Sequence, residues 1–552
     1  MSAHLPRRAL LVFALSLVVT GCNFGASGRS AEMAGFEQAQ REGGTAGDPE
    51  TGATRFLFDD FNGLSTDALE ASAVPWKVAA TVLVLDSRPG EVPTQQALQA
   101  QLQRFGLFMP TAVGNWPTPD SPDFTRPMGL VSGPVARRVP AIELEVATIG
   151  CASCHAGALY DARGLPTREA WLGLPNTSLD LDAYADAVLA GLRSHRDRRD
   201  DVLAAIPRLF PDTSERELKT LRRFVWPRLV KRLDELAGGD ALPFRNGGPG
   251  RSNGIDALRL RLEAPVHAAG DAATVSIPGL ADRALRSSLL VDGLYAPAGT
   301  ARFAPRERVA DGARAAEQSR IVGFFTVSTM GVAHGQAPDA MPRVAEALAF
   351  LDQPAGTPPF PAPVDAALAA RGADVYAQRC ASCHGDYVEA DGRLRLERFP
   401  NRLSPLDEIG SDPGRAVAVD ADLLARIRAS TLDDYLDADA TRGYVAPILS
   451  GAWATAPYLH NGSVPTLWHL LNPSQRPRRF QVGGHALDLE KVGIAGVSDG
   501  DDWRYPDGYR PWSDPQWFDT ALPGRDRRGH ETQVAGLDAG TQAALLEYLK
   551  RL

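Results

Sequence analysis

The pentapeptide Cys-Ala-Ser-Cys-His occurs twice, at Cys151–His155 and Cys380–His384, and the two copies take four of the five cysteines in this 552-residue chain. Two thiols two residues apart, followed at once by an imidazole, suit covalent attachment of a c-type haem. The thiols add to two vinyl groups of one porphyrin, and the histidine reaches the iron from one face. Cys151 and Cys154 are therefore predicted to hold haem 1 with His155 as its proximal ligand. Cys380, Cys383 and His384 are predicted to hold haem 2 in the same way, giving two covalently bound haem c groups. A redox Cys-x-x-Cys or half of a zinc site would fit one motif alone, but neither explains the repeated histidine. Zinc would also need a second ligand pair near each motif, which the remaining cysteine cannot supply.

The sixth ligand of each iron decides between carrying electrons and doing chemistry, because oxygen or peroxide needs an open or displaceable position. In cytochrome c domains the distal methionine follows the haem motif, and this chain has no methionine after Met341. Haem 2 is thus predicted to lack His/Met ligation from its own domain. His460, His469, His485 and His530 remain. His530, in Gly529-His530-Glu531 shortly before the last helix, is the first choice and His460 the alternative. For haem 1, His195, His267, His334, Met330 and Met341 are all available, none is singled out, and the distal side is read as open.

The elements that must position these residues are read as mainly α-helical, with extensive loops and little β structure. Helical spacing covers 179–193, 214–236 and 342–352, with Pro227 expected to kink or divide the second. Residues 139–149, entering the first motif, read as extended. Asp365–Arg379 is a helix candidate feeding into Cys380, and Gln542–Leu552 a closing helix that packs across it, Gly372 permitting close approach. Five prolines among residues 354–363 mark a boundary. The predicted order is a lipoprotein signal peptide (1–22), a flexible tether (23–54), an enlarged haem 1 domain (55–353), the Pro-rich linker (354–363) and a cytochrome c-like haem 2 domain (364–552).

The amino terminus predicts the compartment. Arg7 and Arg8 precede an apolar run too short to span a bilayer, which ends in Val19-Thr20-Gly21-Cys22. That tetrapeptide resembles a bacterial lipobox, which implies cleavage before Cys22 and lipidation of its thiol. The mature protein is then a lipid-anchored resident of the bacterial cell envelope, in the periplasm or, with Asn23 next, at the outer membrane. A net charge of -9 with no long basic run argues against nucleic acid as a partner. Asp407, Glu408 and Asp412 read most plainly as a solvated loop face.

Three stretches carry a family resemblance: ATAPYLHNGSVPTL at 454–467, IGSDPGRA at 409–416, and the closing FDTALPG, GHE and LLEYLK segments. Together they resemble the rubber oxygenase group of di-haem cytochromes, within the bacterial di-haem cytochrome c peroxidase superfamily. The likeness is strong from about Asp365 onward and thinner around haem 1. It implies reactive chemistry at the haem held by His155, and a bis-histidine haem at His384 that relays electrons. Calcium at Asp407, Glu408 and Asp412 is only what this resemblance implies. Where the resemblance implies aromatic residues lining a distal pocket, this chain offers Val275–Ala281, so polyisoprene cleavage is not assigned. The leading expectation is a haem-dependent oxidoreductase using peroxide or oxygen, with an electron-donor protein as partner. A purely electron-transferring lipoprotein and a haem sensor or accessory protein are the alternatives. Trp453, Trp468 and Trp503 are candidate electron carriers for which packing is the plainer role.

Overall fold

The computed structural model describes residues 30–43, 49–64, 74–137, 142–236, 244–267, 272–309, 313–322, 337–352 and 356–552. The expected signal peptide and Cys22 lie outside the described residues, as do Met330 and His334. No helix among the described residues is long and apolar enough to cross a membrane.

The fold is mixed, with 40% helix and 17% strand in many small sheets, and this corrects the mainly α reading. The strands are missed because most are two to five residues long and pair across large sequence separations. Strand preference depends on such neighbours more than on local composition. Tyr295–Pro297, for instance, pairs with Leu436–Ala438, whereas Ile142–Ile149, inside the 139–149 stretch read as extended, pairs along its length with Leu130–Arg137, a segment broken by Gly133 and Pro134. Ala156–Tyr160 follows the first haem motif directly and pairs with Pro166–Leu172. Four strands between Arg479 and Asp519 form another sheet.

The stretch 23–54 also differs from the tether that its composition suggests, because helices Ala31–Gly43 and Pro49–Phe58 begin within it. The second is buried along Thr51–Leu57, with Arg55 paired to Glu37, Asp59 and Glu346. Burial of apolar side chains offsets the backbone entropy that a Gly/Ala-rich segment loses on ordering.

Three apolar cores organise the chain. One unites helix Pro49–Phe58 with Gly254–Arg261, Ala337–Leu351 and Ala421–Arg428. The second packs Trp76–Ser87 and Leu181–Ser194 against the Ile142–Ile149 sheet. Residues 214–236 form two α-helical pieces around one turn of π-helix at Leu221–Val225, and Pro227 sits in the first turn of the second piece.

The third core surrounds the second haem motif. Asp365 caps helix Ala366–Arg379 by accepting from the amides of Ala367 and Leu368, and this helix crosses Ala539–Leu549. At the crossing a Cβ on Gly372 would collide with the Ala544 carbonyl and the Tyr548 side chain. The Tyr376 and Tyr548 rings sit 5.0 Å apart beside it. Gly372→Ala should therefore cost about 1–3 kcal/mol by overpacking, visible as a lowered thermal midpoint, whereas Gly35→Ala, in helix Ala31–Gly43 with open space around it, serves as the control for helix propensity alone.

Candidate haem-binding site

Strand Ile142–Ile149 delivers the first motif through Gly150 into a short helix, Cys151–His155. Gly129 approaches Ser153 so closely that a Cβ would strike its backbone, and the Gly129 carbonyl accepts from the Gly150 amide at 2.7 Å. The Asn176 side-chain amide donates to the Ser153 carbonyl at 3.0 Å, its backbone amide to Cys154 at 2.7 Å, and the Gly173 amide to His155 at 2.8 Å. The motif's end is thus held by backbone contacts that leave its side chains free to face inward.

The His155 imidazole donates its Nδ1–H to the Pro278 carbonyl at 3.0 Å. A carbonyl can only accept, so this bond places the proton on Nδ1 and leaves the Nε2 lone pair available to a metal. His384 repeats the arrangement, its Nδ1–H donating to the Pro447 carbonyl at 2.9 Å. The surroundings of the second motif differ. The Tyr376 hydroxyl donates to the Gly385 carbonyl at 3.0 Å, and the Leu449 amide donates to the Tyr387 hydroxyl at 2.9 Å, tying the motif to the proline segment.

Both motifs open into one cavity of about 690 Å³, which is lined by all four motif cysteines and both histidines. Its walls are largely apolar, with Phe56, Phe61, Tyr184, Phe244 and Leu545 among them. Burial pulls the His155 imidazole down to about 4, against the pull of the Pro278 carbonyl, and lowers His384 as well. Burial also raises the Cys151 and Cys154 thiols to about 12 and Cys380 to about 11. The imidazoles are therefore neutral, the form that ligates. Paired thiols on one wall, a neutral Nε2 and an apolar enclosure fit haem c.

Among the four histidines considered for the distal side of haem 2, His460 and His530 line the cavity. His469 is instead buried against Thr466 and Trp503, and His485 receives the Tyr160 ring in a stacked contact. His530 faces His384, with ring centres 6.2 Å apart and planes 25° from parallel. Two imidazoles bonded to opposite faces of one metal at roughly 2 Å each give about this separation. His460 stacks on Tyr444 at 4.2 Å. Burial lowers both His530 and His460 to about 3, helped at His530 by His384 and at His460 by Arg415.

His530 is placed by its backbone. Its φ is +69°, a left-handed conformation uncommon outside glycine, and its amide donates to the Ile409 carbonyl at 3.0 Å. The preceding Gly529 amide donates to the Glu531 carboxylate at 2.8 Å, and buried Arg476 bonds both Glu531 and the Gly529 carbonyl. Arg476 and Glu531 thus hold the turn that aims His530, and the Nδ1 of His530 is buried without a partner among the described residues.

Of the haem 1 candidates, His195 returns its Nδ1 to the Gly191 carbonyl, and His267 bonds Asp256 at 2.7 Å. Met341 packs against the first core. None of these three is among the described residues that line the cavity. Val275–Ala281 does not replace a distal aromatic pocket, because its Pro278 carbonyl is bound to His155 on the proximal side. The aromatic wall comes from Phe56, Phe61, Tyr184 and Phe244, distant in sequence. Trp453, Trp468 and Trp503 lie off the cavity, with Trp453 and Trp503 donating to the Pro358 and Ile494 carbonyls. Asp412 accepts from the Gly414 and Asp526 amides, and Glu408 pairs with Arg402. No cluster of three or more metal-ligating side chains occurs among the described residues.

Residues 443–481 match the family described as RoxA-like, cytochrome c-like. This stretch is thus similar to cytochromes c of the RoxA type. It contains Tyr444, Pro447, His460 and Arg476, and a cytochrome c-like domain implies haem c and haem-based redox function. The chain is also similar to two proteins of Sinorhizobium fredii, both named only as uncharacterized. It is 38% identical to y4iM over 162 residues, covering 26% of this chain and 37% of that protein. It is 30% identical to y4iJ over 247 residues, covering 34% and 39%. The chain thus spans less than two fifths of either relative's length.

Sequence reasoning missed Pro278 and Pro447, whose backbone carbonyls do the work, and the buried Arg415–Asp292 pair on the cavity wall. Arg415 Nη1 lies 2.6 Å from Asp292 Oδ2, and both side chains are 3% exposed. Burial still pushes the Asp292 carboxyl upward against the influence of Arg415. Arg415→Met leaves that carboxylate buried and unpaired, and is expected to cost about 3–5 kcal/mol in chemical denaturation. The double variant Arg415→Met/Asp292→Leu should recover most of that loss.

Proposed function

We propose that this chain is an exported di-haem redox enzyme of the rubber oxygenase and di-haem peroxidase superfamily. In this reading Cys151, Cys154 and His155 would hold haem 1, and Cys380, Cys383 and His384 would hold haem 2, with His530 as a further ligand to its iron. When bound, haem 1 supplies an iron able to react with peroxide or oxygen, and haem 2 supplies an electron carrier. The observation that carries this reading is the asymmetry between the motifs. His384 faces His530 at 6.2 Å, whereas none of the described candidates for a second ligand at haem 1 lines the cavity.

The chain's own residues have defined tasks in this account. Pro278 and Pro447 fix the tautomers of the two proximal histidines. Arg476 and Glu531 hold the His530 turn, and Phe56, Phe61 and Phe244 exclude water from the apolar wall. Apolar enclosure favours bound small oxidants over bulk water and strengthens every charge interaction within it. Export through residues 1–22, lipidation at Cys22 and reduction by an electron-donor protein complete the proposal, placing the chain in the cell envelope.

Low-temperature EPR of the ferric protein tests the assignment. One high-spin and one low-spin signal are expected, with the high-spin component changing on addition of peroxide. His530→Ala should abolish the low-spin signal while covalent haem content stays at two per chain, and His460→Ala should preserve it. Two unresponsive low-spin signals would instead favour an electron-transfer lipoprotein.

A further inference from the structure

Among the described residues, two arginines on the cavity wall have no carboxylate partner. Arg283 and Arg286 flank a short turn, Arg283–Leu285, and both line the cavity. Among the described residues, nothing in the protein hydrogen-bonds or ion-pairs with the Arg283 guanidinium. Arg286 is 3% exposed and spends its donors on backbone carbonyls alone, reaching Ser288 at 3.2 Å, Leu290 at 3.0 Å and Ala446 at 3.2 Å.

The nearby acids are otherwise engaged. Asp282 pairs with Arg308 and accepts from the Ser450 hydroxyl, Asp292 pairs with Arg415, Asp352 accepts from the Ala284 amide, and Glu408 pairs with Arg402. Burial lowers Arg283 to about 10, and burial with the adjacent Arg283 charge lowers Arg286 to about 9. Both remain cations at neutral pH. Arg286 is a buried positive charge and Arg283, half-buried beside it, a second, an arrangement that is costly to a fold unless an anion neutralises it.

Their position says which anion. Arg283 lies five residues beyond Pro278, whose carbonyl holds His155, and its charge acts on that imidazole. Arg286 is bonded to Ala446, the residue before Pro447, whose carbonyl holds His384. The segment from Pro278 to Arg286 therefore runs between the proximal supports of the two haem sites. We propose that Arg283 and Arg286 form the carboxylate-binding pair for a propionate of haem 1, and that through Ala446 they tie this haem's position to the support of His384. This rests on the two-haem reading above.

A cation beside a haem favours the reduced iron, which carries one positive charge fewer. Its removal lowers the reduction potential, and the effect falls off with distance. The test is spectroelectrochemical titration of the full-length haem-loaded protein, with haem content measured in parallel. Arg283→Gln should lower the potential of the haem held by His155 several-fold more than that of its neighbour, with both haems retained. Arg283→Lys, which keeps the charge, should restore most of the shift. Arg286→Gln should lower both potentials, because it removes a cation and loosens Ala446 beside Pro447. Unchanged potentials in Arg283→Gln with two haems present would overturn the proposal, as would equal shifts at both haems. Dependence of the wild-type haem 1 potential on inorganic phosphate concentration would show a free anion at the pair and also overturn it. Fewer than two haems in the wild-type protein would instead defeat the two-haem reading itself.

Discussion

The bond from each proximal imidazole to a proline carbonyl is the interaction on which the site depends. A histidine within a Cys-x-x-Cys-His turn can rotate and can carry its proton on either nitrogen, and only one combination offers a lone pair to an iron on the cavity side. Donation from Nδ1 to Pro278 or Pro447 selects that combination. Proline suits the role because it has no N–H of its own and a fixed φ, so its segment stays extended and presents its carbonyl. Both prolines lie far from their histidines in sequence, so each proximal bond also closes a long loop across the fold. In the first site that loop brings Val275–Ala281 beside the motif, and in the second it brings in the stretch Gly443–Val445 and the segment that follows.

This dependence explains why the mixed architecture surrounds a single cavity. The first motif hangs from the end of an antiparallel strand, the second from the end of a helix, and different local structures converge on the same imidazole geometry. Around them the apolar lining lowers the local dielectric, which makes every charge on the wall consequential. The chain answers by pairing Arg415 with Asp292, seating Arg286 on three carbonyls and holding the His530 turn with Arg476.

What the sequence disclosed follows from how local each signal is. The two Cys-x-x-Cys-His motifs are contiguous, so the haem chemistry they suit is legible as an expectation, and the pre-motif helix with its glycine crossing and the divided helix at Pro227 were readable from spacing. Sequence alone placed His530 first and His460 second as ligand candidates without a physical ground to separate them. Only the third dimension sets one opposite His384 and stacks the other on Tyr444. The small sheets escaped because short strands such as Tyr295–Pro297 and Leu436–Ala438 recognise each other through packing, far apart in sequence. The proline carbonyls escaped for a different reason. Backbone acceptors leave no residue-type signature, and Pro278 stood within Val275–Ala281, the stretch this chain offers where the resemblance implies an aromatic distal pocket.

The central claim is that one cavity holds two irons in unlike coordination. Iron anomalous diffraction from crystals of the haem-loaded protein tests it most directly. Two iron peaks are predicted, one bonded to both His384 and His530 and the other bonded to His155 with no protein ligand opposite. A single peak, or an iron at His384 whose opposite face is taken by any residue other than His530, would contradict the account.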